Sequence, residues 1–450
     1  MNRSTRAALV AAVSLIVVAT LMRIGNAFGF EPGWGFDAEP NWNYIARLRH
    51  TWMLPDPNDS WSAYHPPLFF YLSGLLARAT QALGKDQSII AIRLMSSAIG
   101  LLTIALAAAF THRLNPQQPG RAVLLMALLL FLPVQIYMSA MLSPEVTLSS
   151  LITLTLLGTL WAQSGEQAPR WSYGQSILVG VLGGLAFLTK LTGCLVIGVA
   201  GGSMLIAGWR TGKFREALKY AFAMGVVAAI VGGWFYARNL LEFGYLYPHG
   251  LDEHQLIYSM PPGERGVYDY FRIPWAVFTD PRVVSPDLLE SVWGTTYATM
   301  WFDAHRHFLS RDNLMVDRAG GALLLLALLP MSAFGVGVLR GISRAWKRPE
   351  GIDTPLLLLI AITVTGYTYF TWKNPWYATL KAGYLLGISY PFAYYSSEML
   401  HAWTQRRGPL AIAVWIGLAL LLVGVIGVFT FGFVFENPGP PGFDWKKLEH

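Results

Sequence analysis

Eleven long apolar runs constrain this chain more than any other feature. They lie near residues 7–24, 87–110, 121–138, 144–163, 173–192, 192–209, 217–240, 319–341, 353–371, 379–402 and 408–435. A helix that crosses the hydrocarbon of a bilayer needs about 20 such residues. In lipid only helices and closed barrels satisfy every backbone N–H and C=O, and runs this long mean helices. The expected fold class is an all-α polytopic membrane protein with about eleven transmembrane helices. Composition agrees, because only 13% of residues are charged where a soluble domain has roughly a quarter. The fifth and sixth runs are divided only by a short turn around "TKLTG".

The net charge of +7 raises the question of nucleic acid, and its placement answers it. Arg113, Arg121, Arg170, Arg210, Lys213, Arg215, Lys219, Arg340, Arg344, Lys347, Arg348, Arg406 and Arg407 all fall in short loops on one side of the alternating spans. That is the positive-inside bias of a membrane protein, so a lipid bilayer and no nucleic acid is expected. The same bias puts the opposite loops outside the cytoplasm. The first span follows Arg3 and Arg6 and, with no convincing cleavage site after it, reads as a retained anchor. The single cysteine, Cys194, rules out a disulfide framework. Residues 1–435 read as one transmembrane domain, and 436–450 as an outer tail whose final "LEH" resembles an expression scar.

Two outer segments, about 25–86 and 241–318, are too long to be connectors and are expected to form the working face. In the first, "EPNWNYIARLRHTWML" has the helical spacing of an interfacial amphipathic helix. "AYHPPLFFYLSGLLARATQAL" follows, with Pro66 and Pro67 suited to the first turn of a second helix. The second segment carries Tyr245, Tyr247, Tyr258, Tyr268, Tyr270, Trp275, Trp293, Tyr297 and Trp301. Such rings suit a membrane–water boundary, and equally a surface that stacks on sugars.

Ionisable residues collect on this outer side. Asp37 and Glu39 are one residue apart in "GFDAEP"; Asp37 could be a solvated loop residue or a helix N-cap, and an Asp-x-Glu pair can bind a metal or merely favour the helix N-terminus. Glu145 opens the fourth span, where an acid either complements the helix dipole or serves function. Lys190, Arg238 and Lys381 map to the outer ends of their spans, where cations snorkel or grip an anion. His65 precedes two prolines. In "WFDAHRHF", Asp303, His305 and His307 alternate as metal ligands on an extended segment could; the other reading is a structured loop beside an acceptor. The cofactor expectation is accordingly none, with a divalent metal left open.

The order of these segments resembles a known family. "GFDAEPNWNYIARL", "AYHPPLFFYL", "AIRLMSSAIGLLTIALA", "MSAMLSPEVTLSSLITLTLL", "GLAFLTKLTG", "WFYARNLLEFGYLYP" and "TLKAGYLLGISYP" follow one another as in the GT-C membrane glycosyltransferases. The likeness is to their protein mannosyltransferase and aminoarabinose transferase-like branch. It implies transfer of a sugar from a polyprenyl-phosphate-linked donor to a glycan, lipid or protein acceptor on the outer side of the inner (plasma) membrane. The position matching the essential Asp of that family is Asp37. Where many relatives read K-x-R-Y, this chain has Lys381, Ala382, Gly383 and Tyr384, so the Arg is missing and Lys381 remains. On that basis Asp37, Glu39 and Glu145 are the catalytic candidates. His65, Lys190, Arg238, Trp301, Asp303, Lys381 and Tyr384 are the substrate-binding candidates, with Arg238 and Lys190 the preferred phosphate contacts. The chemistry is consistent: a carboxylate can deprotonate the acceptor hydroxyl, and cations stabilise a departing phosphate. An oligosaccharide transferase or polymerase is the nearest alternative. A multi-span transporter is the further one, although no internal repeat of the transporter kind is visible.

Overall fold

The computed structural model describes residues 3–57, 59–164, 171–247, 260–309 and 314–434. Tyr258, Arg170 and the tail from 436 lie outside the described residues. All regular elements among the described residues are helical. The first half comprises α1 (Arg3–Gly29), α2 (Ala38–Thr51), α3 (Leu68–Ala79), α4 (Lys85–Leu114), α5 (Pro119–Leu130), α6 (Pro133–Ala140), α7 (Glu145–Ala162), α8 (Tyr173–Thr189) and α9 (Cys194–Arg210). A π-helical turn, Ala229–Gly233, then joins α10 (Phe214–Ala228) to α11 (Trp234–Phe243). Three short helices follow: α12 (Ala276–Thr279), α13 (Pro286–Leu289) and α14 (Val292–Trp301). The chain closes with α15 (Leu314–Lys347), α16 (Asp353–Lys373), α17 (Ser389–Thr404) and α18 (Pro409–Val434).

Each of the eleven apolar runs meets helix, but fewer than eleven are long spans. Among the described residues, eight helices are long and apolar enough to cross a membrane, or nine if α5 and α6 count as one bent span. The shortfall has local causes. α8 has only 17 residues. The 379–402 run begins as 3₁₀ turns over Ala382–Ile388, leaving α17 with 16 residues. Between α5 and α6 the chain bends by 48°, where Pro133 offers no N–H to continue the ladder. A break inside a membrane strands carbonyls at a cost of several kcal/mol each. Arg23 of α1, itself buried, answers this by donating from Nη2 to the Leu130 carbonyl at 2.9 Å.

Large apolar side chains stay exposed along the long helices, among them Leu21, Leu102, Phe222, Leu339 and Val423. A water-facing protein does not leave such faces open, whereas lipid-facing helices do. Inside, small residues let backbones touch. A Cβ added at Gly184 of α8 would sit 2.7 Å from Val231 Cβ, so glycine sets how closely α8 and the π-helical turn approach.

Ion pairs fix which helix ends share a face. At one end, Arg344 of α15 grips Asp353 of α16 through Nε and Nη2, both at 2.8 Å. Its Nη1 reaches Glu398 of α17 at 2.7 Å. Arg121 of α5 reaches the same carboxylate at 3.3 Å, and the Tyr395 hydroxyl donates to Asp353 at 3.0 Å. At the other end, Lys190 after α8 pairs with Glu145 at the start of α7. Both sets require alternating helix directions. They put Glu145 and Lys190 at the end of the bundle opposite the Arg344 cluster, while Lys381 over Phe36 brings the 374–381 segment to the first loop.

The first loop folds as two helices, as its sequence suggests. α2 buries Ala38, Asn41, Trp42, Ile45 and Leu48 on one helical face. Trp42, Ile45 and Leu48 cluster with Phe69, Phe70 and Ala77 of α3 and Ile89 and Ile92 of α4. Pro67 occupies the N-cap of α3.

Candidate active site

The loop that presents Asp37 is held from behind. α1 ends at Gly29, where the last carbonyls of any helix lack intrahelical donors. Arg93, fully buried in α4, reaches the Ala27 carbonyl at 3.4 Å and ties down the chain just beyond: Nη1 donates to the Phe30 carbonyl at 2.7 Å and Nη2 to the Glu31 carbonyl at 2.8 Å. Its guanidinium also lies 4.9 Å over the Phe30 ring. Arg93 sits inside the quoted stretch "AIRLMSS" but was not among the expected site residues. Its only sequence signal is an arginine inside an apolar run, which implies a buried partner.

From there the chain turns sharply. Gly35 has φ +126°, and a Cβ there would stand 3.0 Å from Met141. Asp37 follows with φ 53°, in the left-handed region that non-glycine residues enter at a cost. It occupies the N-cap position of α2 yet makes no side-chain capping bond. The carboxylate is exposed, and among the described residues it has no hydrogen-bond or ion-pair partner. Glu39, in the first turn of α2, is exposed as well.

The opposite wall is the segment leading into the Ala382–Ile388 turns. Lys381 Nζ lies 4.1 Å over the ring of Phe36, the residue before Asp37. Burial pushes the Lys381 pKa below its ordinary value; the fields of Asp37 and Glu145 oppose that shift and Lys190 adds to it. Three of the expected residues therefore bring their charge to bear on a fourth, Lys381, although they span 37 to 381. No carboxylate pairs directly with Lys381 among the described residues. Lys190, by contrast, is committed to Glu145, and its ammonium sits 4.9 Å over the Tyr384 ring. Gly193 makes this turn possible, since a Cβ there would fall 2.2 Å from the Ala186 carbonyl.

An aromatic rim adjoins these charges. His65 Nδ1 lies 3.3 Å from the Tyr247 hydroxyl, and the Tyr64 and Tyr247 rings meet edge-on at 5.3 Å. Burial, and secondarily the charge of Asp37, raise the Tyr64 pKa. Its hydroxyl is thus a neutral neighbour of the carboxylate.

Three expected residues have other work. Arg238 is paired with Glu242 one turn along its own helix at 2.6 Å and lies 5.1 Å over Phe243. It faces the α2–α3 pair, where its charge acts on Tyr44 and Tyr71 rather than on Lys381. Trp301 is 1% exposed and packs against Phe392 at 6.0 Å, so it is core and not a sugar platform. Asp303 is buried, and its Oδ2 accepts the amides of Phe308 and Leu309 at 2.6 and 2.8 Å. It folds the loop. Burial raises its pKa against the pull of those amides and of Arg306.

The alternating Asp303, His305 and His307 do not converge on a metal geometry. Among the described residues no group of three His, Cys, Asp or Glu side chains could hold an ion. His305 instead donates from Nε2 to the Leu380 carbonyl at 3.0 Å. Burial and the nearby Lys381 hold its pKa down to about 3, so it is neutral and braces the residue before Lys381. The loop closes on the first outer loop through Trp34, whose Nε1 donates to the His307 carbonyl at 2.6 Å, and through Phe36 against both imidazoles.

Comparison with known proteins agrees with the resemblance read in the sequence. Residues 64–236 match the family model described as dolichyl-phosphate-mannose-protein mannosyltransferase. That segment holds Tyr64, His65, Glu145 and Lys190, while Asp37 and Lys381 lie outside it. No curated protein matches the chain. The apo structure of the oligosaccharyltransferase of Archaeoglobus fulgidus is similar, with 14% identity and a TM-score of 0.54; it covers 96% of this chain and 57% of that one. The same archaeal protein in complex with an inhibitory peptide and a dolichol-phosphate is 15% identical with a TM-score of 0.54, covering 96% and 56%. ArnT from Cupriavidus metallidurans, in the apo state, is 17% identical, covers 93% and 77%, and has a TM-score of 0.43. The chain spans little more than half the length of the archaeal enzyme. The fold is GT-C, and the chain is a multi-pass membrane protein.

Proposed function

We propose that this chain transfers a sugar from a polyprenyl-phosphate-linked donor to an acceptor hydroxyl on the extracytoplasmic face, with Asp37 as general base. One observation carries the reading. A carboxylate on a strained residue, unpaired among the described residues, lies within the electrostatic reach of Lys381, an ammonium with no carboxylate partner among them, on a segment over 340 residues away in sequence. Charges held apart without partners are poised for a ligand bearing both a proton to give and an anion to hold.

In this reading Asp37 takes the proton of the acceptor hydroxyl as its oxygen attacks the anomeric carbon. The bond from that carbon to the phosphate oxygen breaks, and its electron pair leaves with the polyprenyl phosphate. Lys381 stands where that charge grows, and Lys190 supports it while holding Glu145. The phosphate role expected of Arg238 passes to Lys381, because Arg238 is neutralised by Glu242. The polyprenyl tail stays in lipid, since each CH₂ moved to water costs about 0.8 kcal/mol. The description of the matched family and the dolichol-phosphate complex of the archaeal enzyme support a lipid-phosphate donor.

The test is consumption of polyprenyl-phosphate sugars from a panel by purified protein, with hexose, pentose and oligosaccharide donors side by side. Turnover of oligosaccharide donors alone would make it an oligosaccharide transferase; no turnover of any would remove the reading. Sidedness is tested in a Cys194→Ser background. Met53→Cys should react with an impermeant reagent on intact cells and Trp346→Cys should not. The reverse pattern would invert the orientation.

A further inference from the structure

A second group of cations sits on the far end of α2, away from Asp37. The Arg49 guanidinium lies 5.8 Å and the Lys85 ammonium 5.5 Å from the ring of the same indole, Trp42. Arg78 lies 5.7 Å over Trp52, just past the end of α2. Among the described residues none of the three has a carboxylate partner. Of the acids nearby in sequence, Asp59 pairs with Arg47, and Asp86, in the first turn of α4, forms no ion pair with any of the three among the described residues. Glu39 lies at the opposite end of α2.

Two positive charges brought to one ring repel each other, and the ring quadrupole offsets only part of that. Arg49 has a further unmet need. Its Nε is buried with no hydrogen-bond partner, while its Nη2 lies 2.9 Å from His50 Nε2. An anion held between Arg49 and Lys85 would neutralise both.

Depth identifies the anion. Lys85 is the first residue of α4, a helix long and apolar enough to span, so it lies at headgroup level. Met53, Leu75 and Leu83 are exposed around the patch, and exposed apolar groups beside cations suit a lipid and not a soluble ion. We infer that Arg49, Lys85 and Arg78, over Trp42 and Trp52, form a binding site for the phosphate headgroup of an anionic bilayer lipid. The bound lipid fastens the α2–α3 pair to the membrane, and α2 begins at Asp37. The site is separate from the donor site and does not depend on the proposed reaction.

The test is native mass spectrometry of the full chain with phosphatidylglycerol and phosphatidylcholine in competition. Wild type should retain phosphatidylglycerol preferentially. Arg49→Gln with Lys85→Gln should lower that preference about tenfold or more, at roughly fivefold per cation. Arg49→Lys with Lys85→Arg should keep most of it, and Arg406→Gln with Arg407→Gln, at the other end, all of it. Arg78→Gln alone, on an exposed position, should cost about fivefold and serves if the double variant does not fold. Three results would each overturn the inference. Unchanged preference in the Arg49/Lys85 variant is the first. Displacement of the lipid by glycerol phosphate is the second, and would mean a free-anion site. Loss of short-chain polyprenyl phosphate binding in step with phosphatidylglycerol is the third, and would make this the donor site.

Discussion

The two ends of the helix bundle both gather charge, and they treat it in opposite ways. At the basic end, Arg121, Arg344, Asp353 and Glu398 form a closed set in which every charge has a direct partner and Tyr395 joins as a donor. At the end with the long loops, Glu145 and Lys190 are paired, but Asp37 and Lys381 sense each other without an ion pair. A saturated network has nothing left to offer a ligand, and it joins four helices. An unsaturated one is costly unless something arrives to complete it. The unsaturated pair also rests on braced backbone: Arg93 behind Asp37, and His305 behind Lys381.

The sharpest way to break the comparison is at Asp37. Asp37→Asn keeps the shape and removes the proton acceptor, so transfer should fall by about 10²–10⁴-fold while donor binding survives. Turnover at the wild-type rate would place the base elsewhere. Next is Lys381→Met, which should weaken binding of a short-chain polyprenyl phosphate by about 10–100-fold, the worth of a charge-assisted hydrogen bond. Lys190→Met should weaken it less, because that ammonium already serves Glu145. Equal effects from the two would erase the distinction between paired and unpaired cations.

The saturated end predicts the opposite profile. Glu398→Gln takes a carboxylate from two arginines, and partial exposure keeps the loss to about 1–3 kcal/mol of stability. The melting temperature should fall while turnover per folded molecule is unchanged; a selective loss of turnover would show that this end takes part in the reaction. The smallest effect is in the pH profile. Lys381 must be protonated to hold phosphate, and its pKa lies below the ordinary lysine value. Donor binding should therefore be lost as pH rises through that lowered pKa, earlier than for a free lysine. Lys381→Arg should move the alkaline limb upward, because a guanidinium keeps its proton; a limb that stays in place belongs to another group.

Much of this was legible in residue order. Run length gave the helices, and the α2 spacing gave its buried face. "TKLTG" gave the break before α9, seen as the Leu191–Gly193 turn. Of the roughly eleven expected spans, eight or nine are met by helices of full length among the described residues. A run of apolar letters does not reveal that 382–388 coils as 3₁₀ turns or that α8 stops at Thr189. Among site candidates, Glu145, Lys190 and Tyr384 are in contact, Lys381 lies over Phe36 beside Asp37, and His65 stands on the rim with Tyr64 and Tyr247. Trp301 and Asp303 were misread because an aromatic and an acid in a long loop look alike whether they face a ligand or fold the loop. Arg93 was passed over because its partners are backbone carbonyls, which no sequence pattern displays.

The sequence by itself determined the depth of each residue. An apolar run must lie in lipid, so the charges that interrupt it are confined to its ends or to buried partners. Depth, however, leaves rotation and neighbours open. Lys190, Arg238 and Lys381 all map to the same level, and only packing decided that the first pairs with Glu145, the second with Glu242, and the third, among the described residues, with no carboxylate. An ion pair forms within about 4 Å, and whether two side chains come that close depends on how helices rotate and cross. Gly184 against Val231, and Gly193 against Ala186, set those approaches.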